Sequence, residues 1–204
     1  MAFEDDTHIG YSIEKLVCQF DIQTIVETGT DKGHTAVALA KMVPVVCTIE
    51  KHRGYFCEAQ KFFNDLGHKN INAEHGSSQF VLGQILSDEK TQRPVLFYLD
   101  AHDRTDWPLL DELDVIAKHK EDNSVIVIHD IHNPYRGFGF DAHRCPRAQK
   151  QCRLDWHYIR DSVVGIYGEN FTHYYNDKAI GRRRGVIYIL PGKHGDIDNL
   201  VRAK

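Results

Sequence analysis

The chain has 204 residues, 42% of them hydrophobic, with a formal net charge of −4 and five cysteines. The length suits one globular unit with a full-sized core. The charge excludes a basic footprint for nucleic acid or an anionic membrane surface, no apolar run is long enough for a bilayer span, and scattered cysteines in odd number do not make a disulfide framework.

Residues 1–21 are expected to form an N-terminal helical segment. Its first residues, Met1-Ala2-Phe3-Glu4-Asp5-Asp6, lack the basic-then-apolar order of a secretory leader, so a cytoplasmic protein is expected. Residues 22–28 read as a first strand. It runs into Ile25-Val26-Glu27-Thr28-Gly29-Thr30-Asp31-Lys32-Gly33-His34-Thr35, an apolar β-branched run that ends in an acid, a tight glycine turn and a helix start. Gly29 gives the backbone a turn conformation that other residues resist and clears room for a ligand. Free N–H groups at the helix start can hold a carboxylate or phosphate. A helix over 35–42 leads to a second strand at 43–50. Residues 54–66 carry Tyr55, Phe56, Ala59, Phe62, Phe63 and Leu66 on one helical stripe, with Gly67 as the stop. A third strand at 70–74 and a helix at 77–87 come next, with Ser77 as its N-cap. Residues 94–100 make the fourth strand, 108–120 an amphipathic helix, and 123–130 the fifth strand around Val125-Ile126-Val127-Ile128.

Continuous apolar strands separated by amphipathic helices imply a parallel sheet covered on both faces. The rest of the chain differs. Residues 133–147 read as a long loop and 148–160 as a helix. Strands at 170–176 and 185–190 flank a turn over 177–184, a hairpin that requires at least one antiparallel strand. The expectation is a single α/β unit: a Rossmann-like, doubly wound, mostly parallel seven-stranded sheet with a C-terminal antiparallel hairpin and helices on both faces. Residues 22–132 would be the cofactor-binding core and 133–204 a substrate-covering loop with the hairpin.

Ligands bind such sheets at the carboxyl ends of the strands, where the strand order reverses. Here Glu27, Glu50, Asp100 and Asp130 occupy that edge. Glu50 stands about 20 residues after the glycine turn, the position from which an acid accepts hydrogen bonds from two ribose hydroxyls. The competing reading is a helix N-terminal acid ahead of Lys51 and His52. The turn reads G-x-x-x-G rather than G-x-G-x-x-G, which suits a ligand without a pyrophosphate and ranks NAD second.

Glu27-x-Gly29-x-x-x-Gly33-x-Thr35, Thr48-Ile49-Glu50, Gly76-Ser77-Ser78-Gln79 and Leu99-Asp100, in this order and spacing, resemble the class I S-adenosylmethionine-dependent methyltransferases. The similarity is to the metal-dependent small-molecule O-methyltransferases of the catechol and caffeoyl-CoA type. A second similarity, to the macrocin O-methyltransferase and cephalosporin-hydroxylase-like group, runs through Leu99-Asp100-Ala101-His102 and Pro108-Leu109-Leu110-Asp111-Glu112-Leu113. The resemblance as a whole covers roughly residues 22–134. The resemblance implies S-adenosyl-L-methionine as cofactor. Glu27, Gly29 and Gly33 would lie at its methionine part, Thr35 would bond its carboxylate, and Glu50 would hold the ribose. Gly76, Ser77, Ser78 and Gln79 would sit beside the adenine, with Asp100 closing the site.

Asp100 and Asp130 end adjacent strands, so their carboxylates can converge on one cation. The resemblance implies a Mg²⁺-type ion there, a hard cation that takes oxygen ligands. It would lower the pKa of an acceptor hydroxyl and aim it at the methyl group. Two departures stand out. Ile131 replaces the expected Asn or Asp, and the catechol-type lysine beyond Asp100 is missing. His102, His129 and His132 crowd the same edge. His102 and His129 as ligands would shift preference toward Fe, Mn, Zn or Ni, with Mn or Fe the first choice. His102 as general base beside Asp100 is the second reading, and histidines bonded to loop backbone the third. The Cys145, Cys152, His143 and His157 group lacks the spacing of a zinc module. Tyr135, Phe138, Phe140 and Trp107 are candidate acceptor walls, and Arg182–Arg184 by default a solvated turn, with an anionic substrate or a partner subunit as the alternatives. The function expected is O-methylation of a small-molecule hydroxyl with metal assistance, with an NAD enzyme or a non-catalytic protein that keeps the cofactor pocket as alternatives. The exposed hairpin edge leaves a homodimer open.

Overall fold

The computed structural model describes residues 2–101, 107–144 and 151–203. The apolar runs form five parallel strands: β1 (Thr24–Thr28), β2 (Val45–Glu50), β3 (Ile71–His75), β4 (Val95–Leu99) and β5 (Val125–Ile128). Every residue of β1, β4 and β5 is buried. Burying side chains of this kind stabilises by about 1.5–3 kcal/mol each, which is why the β-branched runs take the middle of the sheet.

Side-chain alternation splits the core into two layers. Val26, Ile49, Phe97, Ile126 and Ile128 face one side, under α4 (Ser78–Ser87), α5 (Leu109–Lys118) and α6 (Trp156–Tyr167). Ile25, Val46, Leu96, Tyr98 and Val127 face the other, under α1 (Thr7–Gln19), α2 (His34–Leu39) and α3 (Arg53–Asp65). The expected doubly wound architecture is present.

After β5 a short ribbon pairs β6 (Ala142–Arg144) with β7 (Gln151–Arg153). The hairpin comes next as β8 (Phe171–Asn176) and β9 (Ile187–Pro191). The order is β10-β8-β9-β5-β4-β1-β2-β3, with β10 (Leu200–Arg202) as an eighth strand, one more than expected. β9 is antiparallel to β5 and to β8, and β10 is antiparallel to β8. β10 has only three residues, which carries no periodic signal.

Two further corrections concern the same half. The helix expected over 148–160 runs from Trp156 to Tyr167, because Asp155 caps it by accepting from the Tyr158 N–H and Gly168 (φ 61°) ends it. The loop expected over 133–147 contains β6 and is tied to the hairpin, where the Gly139 N–H donates to the Arg183 carbonyl at 2.9 Å. Among the described residues no helix is long and apolar enough to cross a membrane.

Candidate active site

The strand order reverses beside β1, whose neighbours are β2 and β4. The glycine turn opens there. Gly29 has φ 84°, and a Cβ on it would stand 2.6 Å from the Asp100 carbonyl oxygen and 3.0 Å from the Ala101 Cα. No side chain fits between the ends of β1 and β4. The turn is pinned to β2, whose Ile49 carbonyl accepts from the Gly29 and Thr30 N–H groups at 3.0 and 3.3 Å. Gly33 is also left-handed (φ 79°), but its missing side chain makes room for the Phe63 ring of α3.

A cleft of about 230 Å³ lies over this turn, lined among others by Gly29, Glu50, Tyr55, Gly76, Ser77, Ser78 and Asp100. Six of the sequence-derived cofactor residues therefore share one cavity. Glu50 is buried at the end of β2. Its Oε2 accepts from the Asp31 N–H at 2.9 Å and its Oε1 from the His52 N–H at 2.7 Å. The two bonds fix the carboxylate plane and leave each oxygen a further lone pair for a ligand hydroxyl. Gly76 is bare because a Cβ would meet Val81 of α4 at 2.6 Å. Ser77 stands at the N-cap of α4 without making a side-chain cap bond; its hydroxyl donates to Gln79 Oε1 at 3.1 Å.

Glu27 lies beneath the turn rather than in the cleft, 1% exposed. The Thr48 hydroxyl, on its cross-strand partner, donates to Glu27 Oε2 at 2.5 Å, and Thr30 Oγ1 is 2.6 Å from Thr48 Oγ1. Burial pushes the Glu27 carboxyl up to about 8; the Thr48 bond pulls it down, and the Asp100 and Glu50 charges push it further up. At neutral pH this acid keeps its proton. Gly33, Thr35 and Gln79 do not line the cleft. The Thr35 hydroxyl accepts from the Phe3 N–H at 3.1 Å, so the N-terminal turn (Ala2–Asp5) occupies the side of α2 where the resemblance puts a cofactor carboxylate.

Asp100 connects the cleft to a second group of acids. His129 Nδ1 is 3.2 Å from Asp130 Oδ1 and 3.5 Å from Asp100 Oδ1. Burial alone would lower the imidazole, but the two carboxylates reverse this and hold His129 well above its ordinary value. Neither approach has hydrogen-bond geometry, and both ring nitrogens are buried without a hydrogen-bond partner. Asp130 itself has φ 61°, a costly backbone state for a residue with a side chain and one that clusters at functional sites. Arg184 holds it, donating from Nε to Asp130 Oδ1 and from an η nitrogen to Asp141 Oδ1. Glu4 reaches the same place from the N-terminal turn and pairs with Arg182 at 2.6 Å. Burial pushes its carboxyl up, the His129 and Arg182 charges oppose this, and Asp130 and Asp100 add to it.

These donors bear on a divalent cation. Ile131 is fully buried in the core and offers no oxygen side chain. The side chains at the edge are the carboxylates of Glu4, Asp100 and Asp130 and the His129 imidazole. Glu4, His129 and Asp130 each bring one donor atom within 4.8 Å of the other two, a mixed oxygen and nitrogen set of the kind that takes a divalent cation, and Asp100 does not join that group.

The structure separates other residues that the sequence grouped. His132 turns away to a second cavity with Tyr135, Arg153, Trp156 and His173. Trp107 is a core residue, edge-on to Tyr158, and not an acceptor wall. Arg182, Arg183 and Arg184 are engaged by Glu4, the Phe138 ring and the Asp130–Asp141 pair, so the turn is not simply solvated. His102 and Cys145 lie outside the described residues, as do the side chains of His143 and its immediate neighbour 144.

Glu4 was invisible to motif reasoning, and Arg184 was read only as part of a turn. For Arg184 a signal existed: β9 pairs antiparallel to β5 with Ile187 opposite Ile128, so a residue just before β9 must lie beside the carboxyl end of β5. For Glu4 there was none, because the contact spans 125 residues or more and obeys no periodicity.

No protein-family model matches the chain. It is 34% identical over 69 residues to the protein-L-isoaspartate O-methyltransferase of Shewanella sp. (strain ANA-3), which is 34% of this chain and 33% of that protein. It is 42% identical over 52 residues to the enzyme of the same name from Rhodospirillum centenum, 26% of this chain and 24% of that one. The chain thus spans about a third or less of the length of the curated relatives it matches. Among solved structures, the O-methyltransferase TomG from Streptomyces achromogenes, in complex with S-adenosylmethionine, superposes with a TM-score of 0.64 at 16% identity over 90% of this chain and 79% of that one. The O-methyltransferase from Bacillus cereus, in complex with S-adenosylhomocysteine, gives 0.65 at 15% identity over 89% and 80%. The architecture, the switch-point cleft and these superpositions together show that the chain has the class I methyltransferase fold.

Proposed function

We propose that the protein is an S-adenosylmethionine-dependent methyltransferase that methylates a hydroxyl group of a small molecule, with a divalent cation assisting at the Asp100–Asp130 edge. The observation that carries the reading is the cleft in which Glu50, Gly29 and the Gly76–Ser78 turn converge and which ends on Asp100. The named activities of TomG and of the Bacillus cereus protein support it through the shared fold.

When bound, the cofactor supplies a methyl carbon on a sulfonium sulfur, and a cation supplies charge that acidifies an acceptor hydroxyl. The rest falls to the chain. Glu50 would accept the ribose hydroxyls with a carboxylate already oriented by the Asp31 and His52 amides. Ser77 and Ser78 would flank the base, and Gly29 would let the backbone pass close to the sulfonium end. Asp100 stands where the cleft meets the acid cluster and would take the proton of the acceptor hydroxyl, with His102 as the alternative base. Holding the oxygen and the methyl carbon in line is where most of the acceleration would arise. An oxygen acceptor is favoured by the acids at this edge, which accept hydrogen bonds from hydroxyls and can take their protons.

The test is calorimetry with S-adenosylhomocysteine and with NAD. Binding of the first and not the second supports the reading. NAD binding in its place would end it. Turnover of S-adenosylmethionine on a panel of phenols, sugars and polyols then separates an enzyme from a protein that only binds the cofactor.

A further inference from the structure

We infer that the cavity at the carboxyl end of β8 is a second small-molecule site, separate from the cofactor cleft, and that it takes a flat heteroaromatic acid with one negative charge. The inference goes beyond the proposed methyl transfer and does not depend on it.

The cavity has a volume of about 380 Å³ and shares no lining residue with the cofactor cleft. The sheet register places it. Leu99, Ile128, Ile187 and Tyr175 lie in one row across β4, β5, β9 and β8. At about 4.8 Å per strand, Tyr175 is about 14 Å from the end of β4. β8 runs parallel to β5, since both are antiparallel to β9. The cavity therefore lies on the same edge of the sheet as the cleft, three strands away.

Its walls are rings. Trp156 stacks on His173 with centroids 4.0 Å apart and planes 14° apart. Tyr175 meets His173 and Tyr135 edge-on at 5.9 and 5.8 Å. Aromatic walls with a few directed polar groups suit a planar ligand. The polar groups are Tyr175 and His173. Tyr175 lines the cavity and is 2% exposed, and among the described residues its hydroxyl has no hydrogen-bond partner. Buried hydroxyls are ordinarily bonded, so this one is left for a group that the cavity admits. Burial, then the Tyr135 and Asp155 charges, push the Tyr175 phenol up, and burial alone brings His173 down to about 4. Both groups are neutral at neutral pH, and each offers a donor and an acceptor to the polar edge of a heterocycle.

The charge comes from Arg153. Its guanidinium lies over the Phe140 ring, 4.9 Å from the centroid, and makes no ion pair among the described residues. A planar fork held in this way matches a carboxylate. Asp155 stands in the same lining and accepts from the Tyr158 N–H at 3.2 Å. Its charge repels a second acid on the ligand, which limits the site to a monoanion.

The experiment is calorimetry of the full chain with three probes: nicotinate, benzoate, which has the same shape without the ring nitrogen, and quinolinate, which is nicotinate with a second carboxylate. Parent, Arg153→Met and Tyr175→Phe are compared, and S-adenosylhomocysteine binding is measured separately on each. We expect the parent to bind nicotinate about fivefold or more tighter than either other probe. Arg153→Met should weaken nicotinate by about tenfold or more. Tyr175→Phe should bind nicotinate and benzoate alike. S-adenosylhomocysteine should bind all three proteins equally and should not displace nicotinate. A parent that binds no nicotinate, benzoate or quinolinate as tight as nicotinate, parent-like affinity in Arg153→Met, a preference for nicotinate kept in Tyr175→Phe, or displacement by S-adenosylhomocysteine overturns the site. None of these results removes S-adenosylhomocysteine binding by the parent, so the proposed function stands or falls apart from them.

Discussion

Glu27 makes stability depend on pH in a direction opposite to that of most carboxylates. Its carboxyl sits at about 8 in the folded chain against an ordinary value of 4.5, chiefly because it is buried. Between those values the native state keeps a proton that the unfolded chain has released. Stability is therefore fully present below pH 4.5, falls as pH rises, and levels off above 8. At about 1.4 kcal/mol per pH unit the loss is on the order of 5 kcal/mol, a large fraction of the stability of an ordinary domain. Glu27→Gln keeps the shape, can still accept from Thr48, and cannot ionise. Urea denaturation of parent and variant at pH 5 and pH 8.5 is the assay. Near pH 5 the two should be alike within about 1 kcal/mol. At pH 8.5 the variant should be the more stable by several kcal/mol, about 5 at most. A gap that is the same at both pH values, or a variant less stable at pH 8.5, would refute a protonated Glu27.

Three single contacts give further expected outcomes. Gly29→Ala puts a Cβ 2.6 Å from the Asp100 carbonyl at a left-handed residue, so thermal unfolding should show a loss of about 1–3 kcal/mol. Arg184→Met leaves Asp130 and Asp141 without the guanidinium that joins them; denaturation should show a loss of about 2 kcal/mol, since bonds to charged groups contribute about 1.5–3 kcal/mol, and an unchanged midpoint would count against the bridge. Burial holds His173 down at about 4, so its ring resonances in an NMR titration should stay those of the neutral form until the pH approaches that value, and a midpoint near 6.5 would show it solvated.

The parallel half of the sheet was legible because its strands are buried on both faces. Val125-Ile126-Val127-Ile128 is short, wholly β-branched and buried throughout, which favours a strand in a sheet interior, and the glycine turn after β1 fixes the direction in which the chain leaves that strand. The cofactor edge was legible for the same reason: Glu50 and Asp100 are polar residues that end apolar runs, and strand geometry decides where such residues point. The second half was harder. The helix start at Trp156 depends on one capping side chain, Asp155, and the residues before it are polar enough to continue a helix backward on paper. β10 gains its pairing only from β8. The wall of the site was the least legible. Glu4 and Arg184 reach it through tertiary contacts between the chain's first residues and the hairpin turn, and Thr35 meets Phe3 rather than the cleft. Gly33 reads as a ligand-lining glycine, but its missing side chain is explained by Phe63.

The central claim is that Glu50, beside the Gly29 turn, grips the ribose of an adenosyl compound. Calorimetry of S-adenosylhomocysteine with the parent and with a folded Glu50→Ala variant tests it most directly. The account predicts binding to the parent and a loss of about tenfold to a hundredfold in the variant, the worth of hydrogen bonds to a charged group. Equal affinity in the two proteins would contradict it.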